Sequence, residues 1–247
     1  MNILKKLFGY IWILWYAILF IGMFLLFYPF FGLLLISDKT YFYADRLRKI
    51  WGRITSYLGL MIPIIRYEQK IDTKKQYIYC ANHISYLDIV LCGSFLPTFN
   101  FFMAKMELSK LPLFRIWFKT LDVPVKRESL RSSHGAFHKA AVKLQKGLSL
   151  IIFPEGKIPA NAPKLHHPLK PGAFKLAIEQ GIPLVPVTIL DNMNRLNFDL
   201  LWCSPGKMRM IVHAPIETAN LSIDDAPMLA EQVYSIINNQ LEQEGIV

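Results

Sequence analysis

The sequence predicts an α/β fold, a largely parallel sheet flanked by helices, preceded by an N-terminal membrane-associated helical segment. Two observations carry this reading. Beyond residue 60, short apolar runs alternate with stretches of helical periodicity, the pattern that βαβ units and a parallel sheet leave in a sequence. Before residue 60 there is instead a stretch from Leu7 to Ser37 without a single charged residue. The chain of 247 residues therefore divides into an anchor with an amphipathic helix, residues 1–60, and a domain over residues 61–247 that is long enough to bury a sizeable core.

Within the anchor, Ile11 to Ile36 is almost continuously apolar and aromatic, longer than the roughly 20 residues that a helix needs to cross a bilayer. A secretory signal has an apolar region of only about 7 to 15 residues and a small-residue cleavage site. Neither is present, so the segment is expected to be retained. Pro29, flanked by Gly22 and Gly32, predicts a kink or a turn back. Lys5 and Lys6 precede the run and Arg46, Arg48, Lys49 and Arg53 follow it, so the lysine and arginine bias does not orient a straight crossing. Basic flanks at both ends favour a re-entrant hairpin on the cytoplasmic leaflet. From residue 43 to 59, Leu47, Ile50, Trp51, Ile54, Tyr57 and Leu58 recur near helical spacing opposite those four basic residues. That describes an interfacial amphipathic helix, with a core helix bearing a solvated face as the plainer reading.

In the domain, the runs 77–81, 100–104, 121–125, 148–153, 184–190 and 208–213 read as strands. The stretches 86–96, 109–119, 132–146, 172–180 and 226–242 read as helices. Gly147 closes the third of these helices, Gly181-Ile-Pro183 ends the fourth, and Leu229, Val233, Ile236, Ile237 and Leu241 form a packing stripe on the last. Residues 157–170, with Pro159, Pro163 and Pro168, form a long irregular connection, a candidate cover for a substrate.

Composition narrows the function. The net charge of +10 calls for an anionic partner, yet no recognition helix, zinc finger or RNA-binding signature is present, and nucleic acid is set aside. Anionic lipid headgroups and the phosphates of an acyl carrier fit better. Cys80, Cys92 and Cys203 form no C-x-x-C pair and read as reduced core residues, and His166-His167 lacks ligand spacing, so no metal and no resident cofactor are expected.

The chemistry concentrates in two short segments. In Asn82-His83-Ile84-Ser85-Tyr86-Leu87-Asp88, histidine is the side chain best suited to proton transfer near neutral pH, and a carboxylate can fix its tautomer. Five residues apart, His83 and Asp88 would diverge by about 140° on a continuous helix. They can meet if His83 lies in a strand-to-helix turn, Ser85 caps the helix, and Asp88 at its third position leans back. Ser85-x-x-Asp88 is also a plain capping box, which accounts for Ser85 better than a nucleophile lacking a G-x-S-x-G elbow. Asn82 positions the turn. In Phe153-Pro-Glu-Gly156, Glu155 follows a strand, where loops enter an α/β crevice.

These segments, with Val123-Pro-Val-Lys-Arg127 and Val185-Pro-Val-Thr-Ile189 in the same order, resemble the glycerolipid acyltransferases, whose signature is N-H-x-x-x-x-D followed by F-P-E-G. The resemblance covers roughly residues 75 to 215. It implies a sheet flanked by helices with the site at one end, and His83 as general base supported by Asp88. It also implies a substrate-binding set of Asn82, Arg127, Glu155, Gly156 and Lys170, with Arg127 and Lys170 on the acceptor phosphate, where the planar guanidinium fork suits Arg127. Glu155 would contact the acceptor glycerol. The partners implied are acyl-CoA or acyl-carrier protein as co-substrate, a lysophospholipid acceptor, foremost 1-acylglycerol 3-phosphate, and membrane lipid. The family usually continues its second motif with Thr or Ser and often Arg. This chain has Lys157 and Ile158, which keeps another lysolipid, such as a lyso-amino-lipid, open as acceptor. A catalytically silent membrane-binding module would not need the His83/Asp88 pair, and a hydrolase would be expected to carry the missing serine elbow.

Overall fold

The computed structural model describes residues 3–125 and 130–247. Two helices come first, α1 (Ile3–Leu34) and α2 (Tyr41–Leu58). The alternating body follows: β1 (Met61–Tyr67), β2 (Ile78–Ala81), α3 (Leu87–Phe95), β3 (Asn100–Lys105), α4 (Arg115–Lys119), β4 (Val123–Val125), α5 (Leu130–Gln145), β5 (Ser149–Ile152), α6 (Gly172–Gln180) and β6 (Leu184–Ile189). The chain ends with α7 (Asn192–Arg195), a small hairpin of β7 (Leu196–Asn197) and β8 (Trp202–Cys203), β9 (Gly206–Val212) and α8 (Ala226–Gln243). Seven strands make one sheet in the order β1-β9-β6-β2-β5-β3-β4. All its neighbours are parallel except β6 and β9.

Both faces of the sheet are covered, which is why its strands read as unbroken apolar runs. Side chains alternate between two cores: Ile78 and Cys80 of β2 join one with Phe174 and Leu229, and Tyr79 and Ala81 join the other with Leu87 and Leu91. The expected strands and most helices form close to their predicted bounds. Three things differ. The helix expected over 109–119 is broken, because Pro112 pushes Leu111 to ψ 125°; a 3-10 turn at Met106–Lys110 and the short α4 replace it. Strand β1, paired in parallel with β9, lies in a stretch given no element from the sequence. Its solvent-exposed Ile62 and Ile64 obscure the usual alternation.

The third difference is the anchor. The apolar segment does not turn back: α1 is one helix that contains Pro29. Packing on both sides of the proline holds it together, with Phe24 against Trp51 (centroids 5.4 Å apart) and Phe31 against Trp117 (4.8 Å). Gly9, Tyr16, Phe24 and Phe31 are its buried residues, a stripe that lays the helix along the body of the protein. Ile11, Leu14, Trp15, Ile18, Leu25 and Leu26 stay exposed. In length and composition α1 could cross a membrane.

Helix α2 also inverts part of its expected polarity. Arg48 and Lys49 turn inward: Arg48 reaches Asp122 (3.1 Å) and Asp45 (3.0 Å), and Lys49 reaches Asp45 (2.9 Å). Ile50, Tyr57 and Leu58 face outward. Buried carboxylates at Asp45 and Asp122 would be costly without these cations, and that requirement outweighs the apolar stripe.

Candidate active site

Strand β2 delivers the chain to the C-terminal edge of the sheet, where Asn82 to Ser85 turn into α3. Asn82 is fully buried and grips the end of β6: its Nδ2 donates to the Ile189 carbonyl (3.0 Å) and its Oδ1 accepts from the Ile189 amide (2.7 Å). With its amide atoms engaged by backbone, this side chain holds the turn.

The structure brings His83 and Asp88 together as the spacing requires. His83 Nδ1 lies 2.9 Å from Asp88 Oδ2. The same oxygen accepts the amides of Ile84 (2.7 Å) and Ser85 (2.8 Å), and Oδ1 accepts from Asn192 Nδ2 (2.8 Å). A carboxylate surrounded by donors is an acceptor only, so the shared proton belongs to Nδ1 of His83, and Nε2 keeps its lone pair. Nε2 has no hydrogen-bond partner among the described residues. The imidazole stacks on Phe153 (centroids 4.2 Å, 15° between planes), which fixes its plane.

Ser85 is spent on structure. Its Oγ donates to the Leu196 carbonyl (2.7 Å) and accepts from the Leu87 amide (3.3 Å). Only half of the capping box forms, the Asp88 carboxylate on the Ser85 amide. Ser85→Ala is expected to cost about 1 kcal/mol of stability and to leave turnover near wild type, read by thermal melting beside an acyl-transfer assay. Complete loss of turnover in a folded variant would restore the serine as nucleophile.

Phe153-Pro-Glu-Gly156 meets this turn directly. Glu155 is 2% exposed, and its two oxygens accept the His83 amide (2.7 Å) and the His166 amide (2.9 Å). The glutamate thus clamps the loop of residues 157–170 to the histidine turn. Burial pushes its pKa up to about 7 from 4.5, against the pull of the two amides. The folded protein holds a proton that the unfolded chain releases near pH 4.5, so the contribution of this group to stability is full below that pH and is lost as pH rises to about 7. Wild type is therefore expected to lose stability relative to Glu155→Gln across that window. A constant difference in melting temperature between the two proteins would show that Glu155 titrates normally.

Gly156 has φ 78°, and a methyl group there would lie 2.6 Å from Lys170 Nζ. The positive φ is what calls for glycine, since the flexible end of the lysine could move aside. Lys170 thus packs over the Glu155 turn, and its amide donates to the Pro154 carbonyl (3.0 Å). Arg127 lies outside the described residues. His167 meets Glu231 at the surface (2.8 Å), and Cys80, Cys92 and Cys203 are buried free thiols.

Two parts of the site escaped sequence reasoning. Asn192, fully buried, holds Asp88 from a short helix 104 residues away. Its only signal was its place just after the block Val185 to Ile189. The other is a cavity of about 500 Å³, lined almost wholly by apolar side chains. It runs beside α3 from Tyr86 and Leu87, next to the histidine turn, to Gly93 and Ser94, about 12 Å at 1.5 Å per helical residue. Phe20 and Phe24 of α1 and Phe114, just before α4, also line it.

Comparison with known proteins shows the family of the chain. The family model described as Acyltransferase matches residues 63–190. A 1-acyl-sn-glycerol-3-phosphate acyltransferase of Saccharomyces cerevisiae is 30% identical over 76% of the chain, and one of Escherichia coli is 25% identical over 78%. The chain spans 62% of the length of the yeast protein, 52% of the Brassica napus chloroplast relative and 78% of the bacterial one. The crystal structure of the 1-acyl-sn-glycerophosphate acyltransferase PlsC of Thermotoga maritima superposes over 100% of this chain and 99% of its own, with TM-score 0.76 and 24% identity.

Proposed function

The chain belongs to the acyltransferase family, and we propose that it moves a fatty acyl group from acyl-CoA or acyl-carrier protein to the free hydroxyl of a lysophospholipid, foremost 1-acylglycerol 3-phosphate, giving phosphatidic acid. The observation that carries this reading is the His83–Asp88 pair, with Nε2 unengaged, beside an apolar cavity of about 500 Å³. Nε2 takes the proton of the acceptor hydroxyl as its oxygen attacks the thioester carbonyl. The Asp88 carboxylate supports the imidazolium that forms. The carbon–sulfur bond then breaks, and Nε2 returns the proton to the departing thiolate. No acyl-enzyme is needed, in keeping with the engaged Ser85.

Asn82 and Glu155 act on this reaction by holding the turn. Lys170, over Gly156, and Arg127, on the strength of its sequence block, are assigned to the acceptor phosphate. The exposed apolar face of α1 lies in the membrane, and the catalytic body is assigned to the cytoplasmic face, the side on which an acyl-CoA or acyl-carrier donor is supplied. Lys157, in place of the family's usual Thr or Ser, supports a second acceptor class, the lyso-amino-lipids.

Membranes containing the protein, supplied with labelled acyl donor and a panel of lysolipids, test the proposal. Labelled phosphatidic acid is the expected product. Labelled free fatty acid without a lipid ester would mean hydrolysis, and acylation confined to a different lysolipid would reassign the acceptor.

A further inference from the structure

The hairpin of β7 and β8 has an unusual tip. Leu196 pairs with Cys203 and Asn197 with Trp202, and the four residues between them are Phe198, Asp199, Leu200 and Leu201. Surface turns favour Gly, Asn, Asp and Ser because these tolerate the backbone angles and satisfy it locally. Here three of the four are large and apolar, and each is half or more exposed: Phe198 50%, Leu200 64% and Leu201 52%. Leu201 also takes a positive φ of 46°, where a leucine is strained. In water this arrangement is unfavourable twice over.

The base of the hairpin is firmly held. Trp202 Nε1 donates to the Asn194 carbonyl (3.1 Å), and Ser204 Oγ donates to the same oxygen (2.9 Å). The Trp202 ring packs so closely on α1 that a methyl group at Gly9 would lie 2.5 Å from it. Phe8 of α1 approaches the same ring, with centroids 6.5 Å apart. On the other side, Phe198 stands edge-on to Tyr86 (5.3 Å), and both line the apolar cavity beside the histidine turn. Exposed apolar surface therefore continues from α1 through Trp202 and the hairpin tip to the mouth of the cavity.

We propose that the Phe198 to Leu201 tip is immersed in the acyl region of the lipid bilayer beside α1, as the lip across which lipid substrates pass between membrane and cavity. The proposal rests on α1 lying in the membrane and on a lipid substrate. Continuity with that helix identifies the occupant: a surface that extends the bilayer-facing side of α1 meets the same solvent. Exposed apolar side chains at a tip, held on a rigid base, gain free energy only there.

The native cysteines are buried, so Leu200→Cys can carry a single environment-sensitive fluorophore. On phosphatidylcholine vesicles containing phosphatidylglycerol, its emission is expected to shift to the blue and to be quenched by lipids brominated in the acyl chain. The same label at Glu179→Cys, exposed on α6, is expected to do neither. Vesicle-bound protein with water-like emission at position 200 would overturn the hairpin proposal alone. Failure of the protein to bind vesicles would overturn it together with the membrane reading of α1. Because the label reads immersion whether or not acyl transfer occurs, the result does not depend on the assigned reaction. In the assay, the double variant Leu200→Asp/Leu201→Asp should raise KM for a vesicle-borne lysolipid about tenfold or more, as expected for losing the burial of two leucines. Turnover of a short-chain acceptor kept below its micelle concentration should stay within about twofold of wild type. Equal losses on both acceptors would show a structural role and overturn the proposal.

Discussion

Replacing His83 by alanine is expected to lower acyl transfer by a hundred- to ten-thousandfold, about the contribution of a positioned general base, while the protein stays folded and membrane-bound. The imidazole supplies the only unengaged basic nitrogen of the turn, and nothing nearby can substitute for it: Ser85 donates to Leu196 and Glu155 is occupied by two backbone amides. The structural cost is small by comparison. The variant loses the stacking of His83 on Phe153, about 0.5 to 1.5 kcal/mol for an aromatic pair. Asp88 keeps the amides of Ile84 and Ser85 and the side chain of Asn192. Turnover in membranes, measured beside the melting temperature, separates the two effects. Residual activity above about a tenth of wild type would sink the general-base assignment.

Asp88→Asn is expected to be nearly as damaging to turnover and more damaging to the fold. Asp88 is wholly buried and accepts hydrogen bonds at both oxygens, from His83, Ile84 and Ser85 on one and from Asn192 on the other. An asparagine that keeps its oxygen on the two backbone amides points its NH2 at Asn192, where a donor meets a donor unless the Asn192 amide flips to offer its unpartnered Oδ1, which leaves Asn192 Nδ2 buried without an acceptor. Unsatisfied buried groups of this kind cost about 1 to 3 kcal/mol each. A swap isolates the cause. In Asp88→Asn/Asn192→Asp, the amide at 88 faces the histidine turn with its oxygen and donates its NH2 to the carboxylate at 192. Stability should recover most of the loss, whereas turnover should remain at least about tenfold down, because the charge supporting the imidazolium has moved away from His83. Full recovery of turnover in the double variant would mean that Asp88 acts through structure alone. Failure of stability to recover would mean that the Asn192 contact is not what the single substitution breaks.

The His83–Asp88 geometry could be read in advance because it is local. Both residues belong to one strand-to-helix turn, and although the helix begins at Leu87, with Tyr86 at the cap position expected for Ser85, the backward lean of a first-turn side chain brings the carboxylate to the ring. The same holds for the pattern of the sheet, since burial on both faces leaves unbroken apolar runs at β2, β5 and β6. Glu155 was recognised as a site residue, but its partners were not. That it clamps the amides of His83 and His166 depends on β2 and β5 lying side by side.

What the sequence by itself determined was the class of fold, the apolar character of the first helix and the meeting of His83 with Asp88. These follow from periodicity and from spacing within a few residues, where chain geometry leaves few choices. Tertiary structure alone decided which distant segments meet: β1 against β9, Asn192 behind Asp88, α1 laid as a single helix along the body, and an apolar cavity lined in common by α1, Tyr86 and Phe198. It also decided which face of α2 turns inward, since Arg48 and Lys49 follow the buried carboxylates of Asp45 and Asp122 and not the apolar stripe. The physical reason is common to all of them. Periodicity says that a face is buried but not against what, and a buried charge is settled by the partner that the strand order brings to it.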